Sequence, residues 1–301
     1  MMAINFKGGI DMKIKSHLFT SFCLSLLMFS PIGINFSAAH AAIPNTPSEI
    51  QAQIPDPKVH FLRGNDDSDH HRYEKAIVNY TNAIALDAYY SMAYMKRGLA
   101  YAYLKNPRMA LKDFSEVIRL TPDYLEAYLR RGYIWTERGQ YEDALKDFTR
   151  AIQVAPEDAR AYVLRGITHE RLEESQLALA DLTQAIQLDR DYHEAYLNRG
   201  VVFDKIGNHL AAVADFTESI RLEPTEPRGY MLRGLAYEGL KKPDLALADY
   251  KQTILLDKNY AEVYRLRSLF YTSQGLQKEA GEDLAMFKQL QLVQSGIWRT
   301  R

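Results

Sequence analysis

Cysteine is almost absent from this 301-residue chain: Cys23 is the only one. It falls in a segment read below as removable, so the remainder would hold no thiol, no disulfide and no cysteine-based metal site. An excess of either charge is lacking too. Lys and Arg number 37 against 38 Asp and Glu, and no long basic cluster occurs. Electrostatic capture by nucleic acid or by an acidic membrane face is therefore not the default reading. There is no glycine-rich phosphate loop and no Gly-x-Ser-x-Gly elbow. No cofactor is expected. What the chain does have is an ordinary soluble composition, 47% hydrophobic and 25% charged, which permits a substantial core.

The first distinctive stretch begins at Met12, which could itself be the true start. Lys13 and Lys15 supply a basic beginning, and Leu18 to Phe29 is mostly apolar. Small residues follow at Ala39 and Ala41. A basic start, a short apolar run and an Ala-x-Ala site together read as a secretory signal over residues 1–41. The alternative is an uncleaved N-terminal anchor. A lipid anchor on Cys23 fits poorly, because Phe22 stands where a small residue is needed. Without residues 1–41 the chain is slightly acidic, at about −3. Residues 42–56 hold Pro44, Pro47 and Pro55 and read as a flexible lead.

From there the chain repeats itself. Arg63-Gly64, Arg97-Gly98, Arg131-Gly132, Arg165-Gly166, Arg199-Gly200 and Arg233-Gly234 are spaced 34 residues apart, with Arg267-Ser268 as an altered last copy. In the copy 125–158, Tyr128, Arg131, Gly132 and Trp135 share one face of a helix. Gly139 and Gln140 break it. A second helix places Ala144, Leu145, Phe148, Ala151 and Ile152 on one side, and Pro156 closes the unit. Gly132 and Ala144 are small where the two helices should cross. The seven copies are 57–90, 91–124, 125–158, 159–192, 193–226, 227–260 and 261–294, leaving a tail at 295–301.

This order of aromatic, glycine, aromatic, alanine, aromatic, alanine and proline over 34 residues resembles the tetratricopeptide repeat (TPR). The resemblance implies an all-α superhelical solenoid of helix–turn–helix units, each burying the face its neighbour leaves open. Departures concentrate at the ends, at His60 and Asp67 and at Ser268, Gly281 and Phe287. The closing proline is replaced by Ala88, Arg190, Lys258 and Leu292 in four copies.

Arg precedes the Gly in every copy, where the family often has Leu. Sixteen residues on stands Asp in six copies, and Asn79 in the first. Across an antiparallel helix pair these positions oppose each other. The expectation is one bidentate structural pair per unit: Arg97–Asp113, Arg131–Asp147, Arg165–Asp181, Arg199–Asp215, Arg233–Asp249 and Arg267–Asp283. The competing reading is a row of ligand-binding arginines.

Candidate sites are few. His70 and His71, with Asp66, Asp67 and Asp69, form the one dense cluster of ligand-type residues. The Asp spacing does not match a calcium loop and no His pair stands at i,i+4, so a solvated capping turn is expected and no metal. Catalysis has no second domain to occupy, and no enzyme is expected. The TPR resemblance implies that the remaining face of each opening helix lines a concave groove that takes an extended peptide or a partner helix. One stripe there is apolar: Met95, Leu129, Val163, Leu197 and Met231 beside Leu99, Tyr133, Ile167, Val201, Leu235 and Leu269. The other alternates in sign: Glu126, Arg160, Glu194, Arg228 and Glu262. The apolar stripe could equally be packing between repeats, and the charged one a ladder of ion pairs. Lys and Asn of the chaperone carboxylate clamp are missing, and Asn198 stands alone where some solenoids carry asparagine rows. Trp298 in the tail would cover the last repeat or act as a short binding peptide.

The expected function is a non-enzymatic scaffold or adaptor in the cell envelope, most simply the periplasm, with a protein partner and neither nucleic acid nor stable membrane insertion. A secreted effector that binds host proteins and a metal- or small-ligand-binding protein using His70 and His71 are the alternatives.

Overall fold

The computed structural model describes residues 56–294. The expected signal segment, the lead up to residue 55 and the tail with Trp298 lie outside the described residues. Fourteen helices follow one another in seven antiparallel pairs. They are α1 Pro57–Asp69 and α2 Tyr73–Leu86, α3 Ser91–Tyr103 and α4 Pro107–Leu120, α5 Leu125–Glu137 and α6 Tyr141–Val154, and α7 Ala159–Arg171 and α8 Ser175–Leu188. Then come α9 His193–Lys205 and α10 His209–Leu222, α11 Pro227–Gly239 and α12 Pro243–Leu256, and α13 Ala261–Ser273 and α14 Gln277–Gln294. The chain is an all-α solenoid. No helix among the described residues is long and apolar enough to cross a membrane.

Local chemistry sets the helix ends. Pro57, Pro107, Pro227 and Pro243 occupy first-turn positions, where a missing N–H costs nothing. Side chains of Asp56, Asn106, Asp158, Asn208 and Glu226 accept hydrogen bonds from otherwise orphaned backbone N–H groups. Every pair turns through one residue in the left-handed region, again at a 34-residue interval. Gly139, Gly207 and Gly275 take it freely, and His71, Lys105, Glu173 and Lys241 take it with a side chain. The closing turns do not depend on proline. Tyr264 donates to the Lys258 carbonyl at 3.0 Å, as Tyr128 does to that of Pro122 at 2.9 Å.

The small residues make room, though not quite as the pattern suggests. A Cβ on Gly132 would lie 2.6 Å from the Phe148 ring, so the glycine chiefly seats the aromatic of the second helix. The alanine column is also close by. The Ala178 and Ala246 carbonyls lie 3.3 and 3.2 Å from where Gly166 and Gly234 would carry a Cβ. Ala76, Ala110, Ala144, Ala178, Ala212 and Ala246 are fully buried. In the last repeat Ser268 replaces glycine, and its hydroxyl donates to the Ala280 carbonyl at 2.8 Å. The core is a series of linked patches in which successive repeats share side chains. Ala159, Val163, Leu182 and Ile186 pack with Ala195 and Val202 of the next unit.

The six arginines opposite aspartate do not reach into a groove. Arg131 donates from Nε and Nη2 to both Asp147 oxygens at 2.8 and 2.6 Å. Arg97–Asp113, Arg165–Asp181, Arg199–Asp215, Arg233–Asp249 and Arg267–Asp283 have the same two-pronged geometry at 2.7–2.9 Å. A third contact joins successive units. The remaining guanidinium nitrogen reaches back sixteen residues to a hydroxyl in the preceding repeat: Arg97 to Thr81, Arg131 to Ser115, Arg165 to Thr149, Arg199 to Thr183 and Arg233 to Thr217, at 2.9–3.3 Å. Tyrosine rings three residues earlier flank five of the guanidiniums at 5.4–5.9 Å, those of Arg97, Arg165, Arg199, Arg233 and Arg267. Burial holds the Asp113 and Asp147 carboxyls above the usual carboxylate range even with arginine bonded to them.

The first unit solves the problem differently. Asn79, in the aspartate column, donates to Asp67, which also takes Arg72 at 2.7 Å, while Arg63 is exposed.

Asp147→Ala strands Arg131 in a largely dry site and should lower the unfolding free energy by about 3–5 kcal/mol. Replacing both residues by leucine should bring stability back to within about 1 kcal/mol of the parent. Urea unfolding followed by circular dichroism reads both. Equal losses in the single and double variants would mean that the pair itself, not the stranded charge, carries the stability.

Candidate functional site

The structure separates the two halves of the expected groove. Met95, Leu129, Val163, Leu197 and Met231 are buried, each at 7% exposure or less. They belong to the core patches and pack against neighbouring helices. Their place in the expected groove is corrected to packing between repeats. Four residues on, one helical turn away, the second apolar column stays open. Leu99, Ile167, Val201 and Leu235 are half-buried, and Tyr133 and Leu269 are exposed at 52% and 56%. These residues form an apolar face along the opening helices α3, α5, α7, α9, α11 and α13.

The alternating charges do not form a ladder. Glu126 accepts from Arg160 of the next repeat at 3.1 Å and from Arg130 on its own helix at 2.6 Å. Asp158 also holds Arg160, and the arginine keeps the Asp158 carboxyl below its usual range. Beyond that rung no ion pair among the described residues joins Glu194 to Arg160 or Arg228, or Arg228 to Glu262. Glu262 pairs within its helix with Arg265. Burial, followed by the charge of Glu194, pushes the Tyr192 hydroxyl up. Glu194 and Arg228 thus remain exposed and without ion-pair partners beside the open apolar column.

The histidine cluster is occupied by its own chain. The Asp66 carbonyl lies 2.7 Å from His70 Nδ1, and His71 Nδ1 lies 3.0 Å from the Tyr73 hydroxyl. Arg72 draws off both Asp66 and Asp67. Among the described residues no group of three His, Cys, Asp or Glu side chains is placed to hold a metal ion.

One concavity interrupts the apolar face. A cleft of about 720 Å³ opens between the second and third repeats, lined by Leu99, Ala102, Tyr103, Phe114, Tyr133 and Ile134 with Lys105, Arg130, Glu137 and Arg138 also on its walls. One of its lining residues has a short side chain, Ala102. Where α3 has Ala102, the other copies carry Ser68, Thr136, Glu170, Asp204, Glu238 and Thr272. Two of those longer groups stitch neighbouring units together, Thr136 to Thr168 at 3.1 Å and Glu170 to Lys205 at 2.9 Å. Ala102 is the one hydrocarbon residue in that column.

Models of the tetratricopeptide repeat match residues 93–124, 125–158 and, in two overlapping spans, 163–227 and 197–261. The chain belongs to the tetratricopeptide repeat family. The described helix pairs continue the same 34-residue unit to either side of the matched span. Among solved structures, a TPR protein from Parabacteroides merdae superposes with a TM-score of 0.68 at 18% identity, covering 78% of this chain and 93% of that one. A chain of the anaphase-promoting-complex assembly Cut9–Hcn1 gives 0.65 at 19% identity, over 81% of this chain and 48% of that one. The pilF protein of Pseudomonas aeruginosa gives 0.60 at 15% identity, over 70% and 96%. At such identities the likeness concerns the fold. Comparison with curated proteins returns no match.

Zinc chloride titrated into the chain should give no saturable heat, because Asp66 and Asp67 are held by Arg72 and each histidine ring already has an intrachain contact. A binding isotherm that disappears in His70→Ala/His71→Ala would place a metal at this turn.

Proposed function

We propose that this TPR chain is a non-enzymatic scaffold or adaptor that takes a segment of a protein partner along the open face of its first helices. The carrying observation is the column Leu99, Tyr133, Ile167, Val201, Leu235 and Leu269. It is apolar in every one of these units yet left half-buried or exposed, while the column beside it is consumed by packing. Large apolar side chains repeatedly left uncovered along one line mark a contact surface. In TPR proteins that line borders the concave surface, and an extended peptide or an amphipathic helix fits it. Glu194 and Arg228 flank the column with unspent charge and would set the register of the bound segment. TPR proteins are generally non-enzymatic interaction scaffolds, which supports the reading.

The basic start, apolar run and Ala-x-Ala site of residues 1–41 support export, with the periplasm as the working location. Release to the outside, where a host protein would be the partner, is the second reading. Fractionation distinguishes them: retention in the periplasmic fraction is expected, and recovery chiefly from the medium would favour the second.

Val201→Glu with Leu235→Glu should weaken capture of the partner from an envelope extract at least about tenfold while the far-UV helical signal is kept. Leu197→Glu is the contrast, since a charge in that buried column should unfold the local repeats. Undiminished capture by the Val201/Leu235 variant would remove this face from consideration.

A further inference from the structure

We propose that the cleft between the second and third repeats anchors an acidic partner segment, taking one apolar side chain between Leu99 and Ile134 while neighbouring carboxylates meet Lys105 and Arg138 on its walls. The inference rests on the groove reading above and specifies the partner chemistry at one point of it.

The cleft has the size of a ligand pocket, at about 720 Å³. Leu99, Ala102, Tyr103, Phe114, Tyr133 and Ile134 give it a hydrocarbon and aromatic lining, which shares the walls with four charged side chains. Tyr103 and Tyr133 stand at 66% and 52% exposure, large flat side chains of the kind that dominate binding energy at interfaces. Tyr103 is held in place by stacking on Tyr73, with ring centres 4.7 Å apart and planes within 7°. An apolar residue of a partner would displace water from this pocket and cover both rings.

Charge decides the neighbours of that residue. The second repeat carries six basic residues, Lys96, Arg97, Lys105, Arg108, Lys112 and Arg119, against three carboxylates, Asp113, Glu116 and Asp123. Arg97 and Arg119 take two of the carboxylates. Among the described residues Lys96, Lys105, Arg108 and Lys112 form no ion pair; all four are exposed, and of them Lys105 lines the cleft. Arg138, also on the cleft wall, lies over the Trp135 ring at 6.0 Å with no carboxylate partner. Glu137 is the one opposing charge on the rim that has no partner. On the cleft walls themselves Arg130 is paired with Glu126, which leaves Lys105 and Arg138 against Glu137, and a carboxylate beside the seated apolar side chain is the group that Lys105 and Arg138 would meet.

The test is a random twelve-residue peptide library displayed on phage and selected on the full chain, followed by fluorescence anisotropy of the enriched peptides. Enriched peptides should carry an aromatic or branched apolar residue with Asp or Glu close on either side, and added salt should weaken them. Ala102→Phe, which fills the cleft from an exposed position, and Lys105→Glu should each weaken binding about tenfold, with Ala102→Ser as a mild control. Circular dichroism shows that the variants remain helical. No enrichment, enrichment of basic or uncharged peptides, enrichment of a segment of this chain itself, or indifference to Ala102→Phe each overturns the proposal. Peptides lost on Val201→Glu/Leu235→Glu but kept on Ala102→Phe would leave the groove reading standing and remove the cleft from it. Peptides indifferent to both sets would remove both.

Discussion

Five arginines each grip two repeats at once, and the stacking depends on that grip. Two prongs of the guanidinium hold the aspartate across the helix pair, and the third nitrogen holds a hydroxyl on the unit before. Packing of apolar faces supplies most of the driving force for a solenoid, but it is not directional. A helix pair could slide or rotate against its neighbour and still bury much the same area. The planar, fork-shaped arginine allows one relative placement only. The same side chain thereby sets the angle within a unit and the register between units.

Such a device is costly to bury. Desolvation leaves Asp113 and Asp147 with raised affinity for a proton even in the arms of an arginine, and a buried pair adds less net stability than its bonds alone suggest. Flanking tyrosines and the bridging hydroxyls offset part of that cost by satisfying the rest of the guanidinium. The first and last units show what happens at the limits. Arg63 is exposed, and Asp67 turns to Arg72 and Asn79 instead. Arg267 keeps Asp283, but sixteen residues before it stands Lys251, so its third nitrogen has no hydroxyl to reach.

Much of this was readable from the sequence because the repeat turns geometry into identity. Gly132 must be small to admit Phe148, and the same constraint rewrites the same letters every 34 residues. Arg131 and Asp147 were legible as a pair because both columns are charged, and a buried charge needs its partner. The hydroxyl of Ser115 belongs to a column, Thr81, Ser115, Thr149, Thr183 and Thr217, that carries no charge to demand a partner, and its partner lies in the next unit. Leu129 and Tyr133 mark the other limit. Both are apolar and one helical turn apart, so periodicity puts them on a common face. Only the tilt of the neighbouring repeat determines that the first is covered and the second is not. The cleft was harder still, because it is bounded by residues of two repeats, and Ala102 among them carries no signal of its own.

Because each arginine reaches only its own unit and the one before, nothing in the central solenoid refers to the total number of units. Removing or duplicating one 34-residue block between the third and sixth repeats would return every guanidinium to an aspartate and a hydroxyl at the same offsets. Groove length is therefore a quantity this architecture can vary by whole steps, by recombination, with the arginine contacts between units kept. The cleft beside Ala102 would keep its place near the front, while the reach of the face behind it grew or shrank to suit a longer or shorter partner.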